Sequence, residues 1–239
     1  MPNDRFYVNE DLIDQSTLFI TDQELHHLQY VMRIKEGEEI EVINGKGKLG
    51  KAIVNRFHKQ KAEITINNVL IEEKPQYPLI LAQGLPRLAR LEYIVEKATE
   101  LGVTEIWLFP AVHTEKKDLS PSQMQRMQQI LISSIKQCGR LYLPEIKFMP
   151  PLNKWEVLDL CCLFGDTQEE SLSILSVLIE KKQKDILWMV GPERGLCPSE
   201  TAILKSKLKF IGVTLNHNIL RTDTAAIAGL SVISAQLLS

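Results

Sequence analysis

The run NHNILRTDTAA, Asn216 to Ala226, sets Arg221, Thr222, Asp223 and Thr224 directly before a helix-like segment rich in small residues. A guanidinium, two hydroxyls and a carboxylate at the start of a tightly packing helix suit a small polar ligand. The cation holds negative charge, and a hydroxyl at a helix start orients the loop or donates to what binds there. Two more stretches read as loops with chemistry, LFGD at Leu163 to Asp166 and GPERGL at Gly191 to Leu196. Gly191 and Gly195 can take positive φ and let backbone N–H and C=O groups approach a ligand closely, which suits reading an adenine or a ribose by main chain. A Gly-Pro pair is also most often only a turn.

Those loops need elements to hold them. From Leu79 the chain alternates apolar runs with amphipathic ones. LILAQGL precedes a helix over RLARLEYIVEKATELG, with Leu88, Leu91, Ile94, Val95, Ala98 and Leu101 on one face. TEIWLFPA precedes a helix with Ser120 as cap, Pro121 at its first position and Gly139 as its stop. VLDLCCLFGD leads to a helix around EESLSILSVLIEK, DILWMVGPERGL to one over PSETAILKSK, and FIGVTLNHNIL to the closing TAAIAGLSVISAQLL. Such alternation predicts an α/β domain with a parallel sheet covered by helices on both faces. Ligands of such sheets bind at the carboxyl ends of the strands, where LFGD, GPERGL and LNHNILRT all lie.

The first seventy residues differ. Thr21 and Glu24 make a capping-box pattern before a short helix to about Met32. EEIEVING, KGKLGKAIVNRF and KAEITINNVL alternate apolar with polar residues and predict a small antiparallel barrel or sheet. IEEKPQYP, with Pro75 and Pro78, reads as a linker, so the expected domains are 1–74 and 75–239.

Composition narrows the chemistry. A length of 239 residues gives ample core for two domains, and 44% hydrophobic with 24% charged residues is ordinary for a globular chain. No apolar run nears the roughly 18 residues that cross a bilayer. The N-terminal MPNDRFYVNE lacks the apolar core of an export signal, and a cytoplasmic protein with no membrane partner is expected. Cys138, Cys161, Cys162 and Cys197 have no metal-ligand spacing, and His26 and His27 are adjacent on a predicted helix, so no metal is expected. GPERGL has Leu196 and Cys197 where a P-loop needs Lys and Ser or Thr, no G-x-G-x-x-G follows an early strand, and no Gly-x-Ser-x-Gly occurs. Nucleoside triphosphate, dinucleotide and serine-hydrolase chemistries are therefore disfavoured. A net charge of −2 leaves no global footprint for nucleic acid. Residues 42–62, however, hold no acidic side chain and carry Lys46, Lys48, Lys51, Arg56, Lys59 and Lys61, either as a phosphate-tracking face or as a solvated hairpin.

KATELGV at Lys97 to Val103, GPERGL, and ILRTDTAA at Ile219 to Ala226, in that order, resemble the motifs of the RsmE family of ribosomal RNA uridine-N3 methyltransferases. The N-terminal HHLQYVMRIKEGEEIEVINGKG is similar to that family's small RNA-binding barrel, so the match spans nearly the whole chain. The resemblance implies a PUA-like N-terminal β-barrel and a C-terminal SPOUT-type parallel sheet with a deep trefoil knot, an exception to unknotted topology. It implies S-adenosylmethionine as cofactor, held in the knot. It also implies a homodimer with the site near the subunit interface, and 16S ribosomal RNA within the small subunit as partner.

Carried onto this chain, the resemblance assigns cofactor binding to Leu163, Phe164 and Gly165 in the first loop and to Gly191, Pro192, Glu193 and Gly195 in the second. Leu215, Asn216, Ile219 and Leu220 follow in the third, with Thr224 and Ala225 at the helix start. Arg221 and Thr222 become the catalytic candidates, because charge develops over N3 and the flanking carbonyl oxygens as N3 loses its proton. Asp223 reads as structural, favouring the helix dipole, and Glu193 as a partner for Arg194 or a backbone group. Arg33, Lys46, Lys48, Lys51, Arg87, Arg90 and Arg140 are the RNA-binding candidates. Three departures stand out: Arg194 where glycine is usual, Lys136 where glutamate is common, and Asn216 to Asn218 in place of the Gly and Arg that usually precede ILRT. Two other readings follow, an RNA-binding ribosome-assembly factor without turnover and a SPOUT methyltransferase with another RNA target. The intact Arg221 and RTDTA run favour the enzyme.

Overall fold

The computed structural model describes residues 5–168, 170–181 and 185–238. They fall into two compact units, one running to Lys74 and joined by Ile132–Leu143, the other made of Pro75–Leu131 and the chain from Pro144 onward.

In the first unit β1 (Arg5–Tyr7), β2 (Thr17–Thr21), β3 (Glu39–Ile43), β4 (Lys48–Phe57) and β5 (Lys61–Ile71) form a five-stranded sheet in the order β1-β3-β4-β5-β2. All pairs are antiparallel except β1 with β3. Period-two alternation sends Ile40, Val42, Ala52, Val54, Ala62, Ile64 and Ile66 into one core with Phe6, Leu12 and Leu28. Register shifts between Lys51 and Ala52 and between Val54 and Arg56 break the β4–β5 ladder, and such bulges bend a sheet and increase its twist.

Helix α1 (Asp22–His26) follows β2 and relaxes into a π turn, His27–Val31. The expected capping box is absent. The Thr21 hydroxyl donates to the Asp22 carboxylate at 2.8 Å, and Asp22 takes φ 53°. Glu24 is drawn instead to the Tyr7 N–H at 3.0 Å and to the Lys136 ammonium at 2.7 Å, a charged partner that a backbone amide at the helix start cannot match.

The second unit carries β6 (Leu79–Gly84), β7 (Glu105–Phe109), β8 (Glu145–Phe148), β9 (Cys161–Gly165), β10 (Leu172–Ser173), β11 (Ile186–Val190) and β12 (Ile211–Thr214). Their order is β10-β12-β9-β11-β6-β7-β8, with every pairing parallel. The helices are α2 (Leu88–Glu100), α3 (Pro121–Cys138), α4 (Ile174–Lys181), α5 (Pro198–Ala202) with a π turn over Ile203–Lys207, and α6 (Thr222–Leu237). From Ile132 onward α3 belongs to the first unit, where Ile135 packs with Ile43, Leu49 and Leu141. Its start is a reciprocal capping box, the Ser120 N–H donating to Gln123 Oε1 at 2.9 Å and the Gln123 N–H to Ser120 Oγ at 3.3 Å.

Both faces of the parallel sheet are covered. Ile80, Ala82, Trp107, Phe109, Cys162, Phe164, Leu187 and Met189 share a core with Leu204, Leu208 and Phe210 around α5 and its π turn. Trp188 points the other way, beneath α6, and its Nε1 donates to the Ala225 carbonyl at 3.3 Å. The indole lies so close to Gly229 that no Cβ fits there, which explains the small residues of this helix.

Candidate active site

Strands β12, β9, β11 and β6 stand side by side, so the loops leaving their carboxyl ends are neighbours. Hydrogen bonds join two of them to the start of α6. Gln83, one residue before the end of β6, is fully buried, and its Nε2 donates to Thr222 Oγ1 at 3.0 Å. The same nitrogen lies 2.9 Å from the Gly84 carbonyl and 3.2 Å from that of Gly191. Thr222 in turn donates to the Gly191 carbonyl at 2.7 Å. Gly84 sits against the GPERGL loop, where an added Cβ would come within 2.7 Å of Pro192 Cδ. Thr222 is thus the first residue of α6, buried and turned into the protein, while Arg221 is its N-cap in extended conformation, φ −66° and ψ 157°, with an exposed side chain.

Charges reinforce the arrangement. The Arg90 guanidinium reaches Asp223 Oδ1 at 2.8 Å and Glu193 Oε1 at 3.6 Å, and Glu193 also accepts the Arg87 N–H at 2.9 Å. Glu193 therefore pairs with Arg90 rather than with the expected Arg194, because α2 carries Arg90 to the strand ends beside the loop. Asp223, in the first turn of α6, faces both the helix dipole and this cation.

Pro192 is buried and Gly191 half-buried, while Gly195 takes φ +69° with open space where a Cβ would be. The His113 ring, on the loop after β7, meets the Gly195 carbonyl at 3.3 Å through Nδ1, so Nδ1 carries the proton of that bond. Leu163, Phe164 and Gly165 lie in β9 rather than in the loop expected over LFGD; Leu163 and Phe164 are buried, Phe164 in the sheet core, and Gly165 is exposed. Asp166 beyond it lies 2.7 Å from Lys205 Nζ. Burial alone would raise that carboxyl, but Lys205 and the Ser171 hydroxyl hold it below its ordinary range. In the third loop Asn216 closes a turn, its Oδ1 accepting the Asn218 N–H at 2.9 Å and its carbonyl the Thr214 hydroxyl at 3.1 Å. Leu215, Leu220 and Ala225 are half-buried, whereas Ile219 and Thr224 face solvent.

The cations divide sharply. Arg33, Lys46 and Lys51 are exposed. Lys48 pairs with Asp11 at 2.7 Å and reaches the Leu12 carbonyl at 3.1 Å, and Arg87 pairs with Glu115 at 3.0 Å. Arg90 spends its charge on Asp223 and Glu193, and Arg140 is half-buried, its guanidinium pKa lowered by desolvation. Sequence reasoning overlooked Gln83 and His113. For Gln83 a signal was present, a lone amide in the apolar run LILAQGL. Among the described residues no helix is long and apolar enough to cross a membrane, and no cluster of three or more His, Cys, Asp or Glu could hold a metal ion.

A parallel sheet whose strand ends are hydrogen-bonded to the start of the C-terminal helix, in a chain that also has a small curled sheet, is an architecture shared with RNA methyltransferases. The family model described as an RNA methyltransferase domain matches residues 72–234, and the RNA methyltransferase PUA domain model matches residues 20–67. The chain belongs to the ribosomal RNA small subunit methyltransferase E family. It is 30% identical over 243 residues to the Synechocystis ribosomal RNA small subunit methyltransferase E, an alignment covering 98% of this chain and 78% of the relative. Among solved structures, the Neisseria gonorrhoeae ribosomal RNA small subunit methyltransferase E bound to S-adenosyl methionine superposes with a TM-score of 0.84, 27% identity and 98% coverage of both chains. A Legionella pneumophila methyltransferase in complex with the same cofactor gives 0.87, 25% identity and 98% coverage of both chains.

Proposed function

We propose that this chain transfers the methyl group of S-adenosylmethionine to N3 of a uridine in 16S ribosomal RNA, in the assembled small subunit. The observation that carries the reading is the tie between Gln83, Thr222 and Gly191, which fixes Arg221 beside the strand-end loops.

The residues present fit the cofactor. Gly195 turns open space toward a ligand, so backbone groups of the GPERGL loop are available to an uncharged adenine and ribose. S-adenosylmethionine, when bound, supplies an electrophilic sulfonium methyl. Gly191, Pro192, Gly195, Leu215, Asn216 and Leu220 lie in the loops that would hold it, with Gly165 at the end of β9 and Ala225 in the first turn of α6 beside them.

Uridine N3 carries a proton and lies on the Watson–Crick edge, so the base has to be unpaired or extruded to reach the site. As that proton passes to water, negative charge spreads over N3 and its two flanking carbonyl oxygens. The exposed Arg221 guanidinium is the group that stabilises it, with a fixed, planar fork of donors. Thr222 acts through position, since its hydroxyl is already committed to Gly191. Arg33, Lys46 and Lys51, exposed on the first unit, follow RNA phosphates.

A second copy of the chain covers the apolar side chains of Leu172, Leu175 and Ile179, which are 56%, 51% and 61% exposed on β10 and α4. The reading includes a SPOUT-type knot formed by the three loops and a cytoplasmic location, where ribosomal subunits are found.

Arg221→Ala tests the chemistry. The fold and the calorimetric Kd for S-adenosylmethionine stay within about threefold of the parent, while methyl transfer falls by about a hundredfold or more. Transfer at the parent rate would remove Arg221 from the mechanism.

A further inference from the structure

Gln83 has the environment of a group kept for something other than stability. It is fully buried in a strand whose other side chains are apolar, its Oε1 has no hydrogen-bond partner among the described residues, and its amide nitrogen is surrounded by acceptors. The orientation is dictated by those neighbours: the carbonyls of Gly84, Val190 and Gly191 lie 2.9, 3.4 and 3.2 Å from Nε2, so an oxygen in that position would face acceptors only. The Thr222 hydroxyl gives its single proton to Gly191 at 2.7 Å, and its lone pair accepts from Gln83. The chain of donation therefore runs one way, from Gln83 to Thr222 to Gly191. It links the end of β6 to the GPERGL loop and to the residue that follows Arg221.

We propose that Gln83 is a positioning residue for methyl transfer, holding Arg221 in register with the GPERGL loop through the Thr222 hydroxyl. It rests on the function proposed above and adds to it the side chain that keeps the catalytic cation and the cofactor loop at a fixed separation. A methionine at this position has nearly the same length and volume and removes both the donor and the orphaned oxygen. Stability and catalysis are therefore expected to move apart.

The test compares the full-length parent with Gln83→Met, and with Gln83→Leu as a second variant should the first fold poorly. Thermal unfolding, calorimetric binding of S-adenosylmethionine, steady-state methyl transfer to small subunits and backbone hydrogen exchange are measured on each. The expected result is an unchanged or raised Tm, cofactor Kd within about threefold, RNA KM unchanged, and kcat lowered by about ten- to a hundredfold, the scale of a small misplacement of a catalytic group. In a cycle with Thr222→Val the two losses are less than additive, because both cut the same link. Hydrogen exchange accelerates only in the segments around residues 191–196 and 221–226.

Normal kcat in a folded variant, or additive losses in the cycle, overturns the proposal. Should the parent itself transfer no methyl group, the functional reading fails. Exchange then decides Gln83 alone: faster exchange confined to those two segments upholds the tie, and unchanged exchange removes it.

Discussion

Lys136 and Glu24 are 112 positions apart, yet the ammonium sits 2.7 and 2.8 Å from the two carboxylate oxygens, and the same carboxylate accepts the Tyr7 N–H. Both side chains are mostly buried, at 16% and 21% exposure, so neither charge can be removed without leaving the other poorly solvated. Lys136→Glu is expected to lower stability by about 2–4 kcal/mol in urea unfolding, and Glu24→Lys in the same chain to recover most of that loss. No recovery would mean that the pair is incidental. Lys136 thus serves a local purpose in this chain, pairing with the Glu24 carboxylate of α1. A residue pattern could flag the departure at Lys136 but not its partner, since partner choice is settled by the fold. The same limit explains Thr21 and Glu24, whose spacing satisfied a capping box while a cation elsewhere took the carboxylate. Ser120, Pro121 and Gln123 met no such competitor, and that helix begins where its sequence places it.

Helix α6 shows how close packing is written into an element. Its small residues let the backbone approach Trp188, and Gly229 leaves no room for a side chain. Gly229→Ala should cost about 1–3 kcal/mol through forced displacement of the indole or the helix. A lowered Tm checks this, and a Tm equal to the parent's would mean that the contact yields freely. The strands β6, β7, β9 and β11 were legible because a parallel strand buried on both faces reads as a continuous apolar run. Strands β8 and β10 were not, being short, partly exposed pieces at the two edges of the sheet, EIKF and LS, without that signature. The turns over GPERGL and LNHNILRT were legible for a related reason, since Gly, Pro and Asn interrupt apolar runs there, whereas LFGD continues β9 as far as Gly165. What the loops bind to one another was hidden, because the Gln83 link depends on strand order rather than on spacing.

At the scale of the molecule, the exposed cations Lys46 and Lys51 and the strand-end loops of the parallel sheet lie in different compact units. Their contributions should therefore separate. Lys46→Ala with Lys51→Ala is expected to flatten the slope of log K against log salt for RNA by about 0.7 per lysine while leaving S-adenosylmethionine affinity unchanged. An unaltered slope would make the basic stretch a solvated hairpin. The compact units divide between Lys74 and Pro75, inside the run IEEKPQYP, and residues 132–143 group with the first unit although α3 continues through Cys138 without any break in its pattern. The most direct test of the whole account is nucleoside mass analysis of small subunits from cells lacking this protein, after incubation with the purified chain and labelled S-adenosylmethionine. Labelled 3-methyluridine in 16S ribosomal RNA is the expected product. Label in any other nucleoside, or none despite measured cofactor binding, would contradict the proposed function.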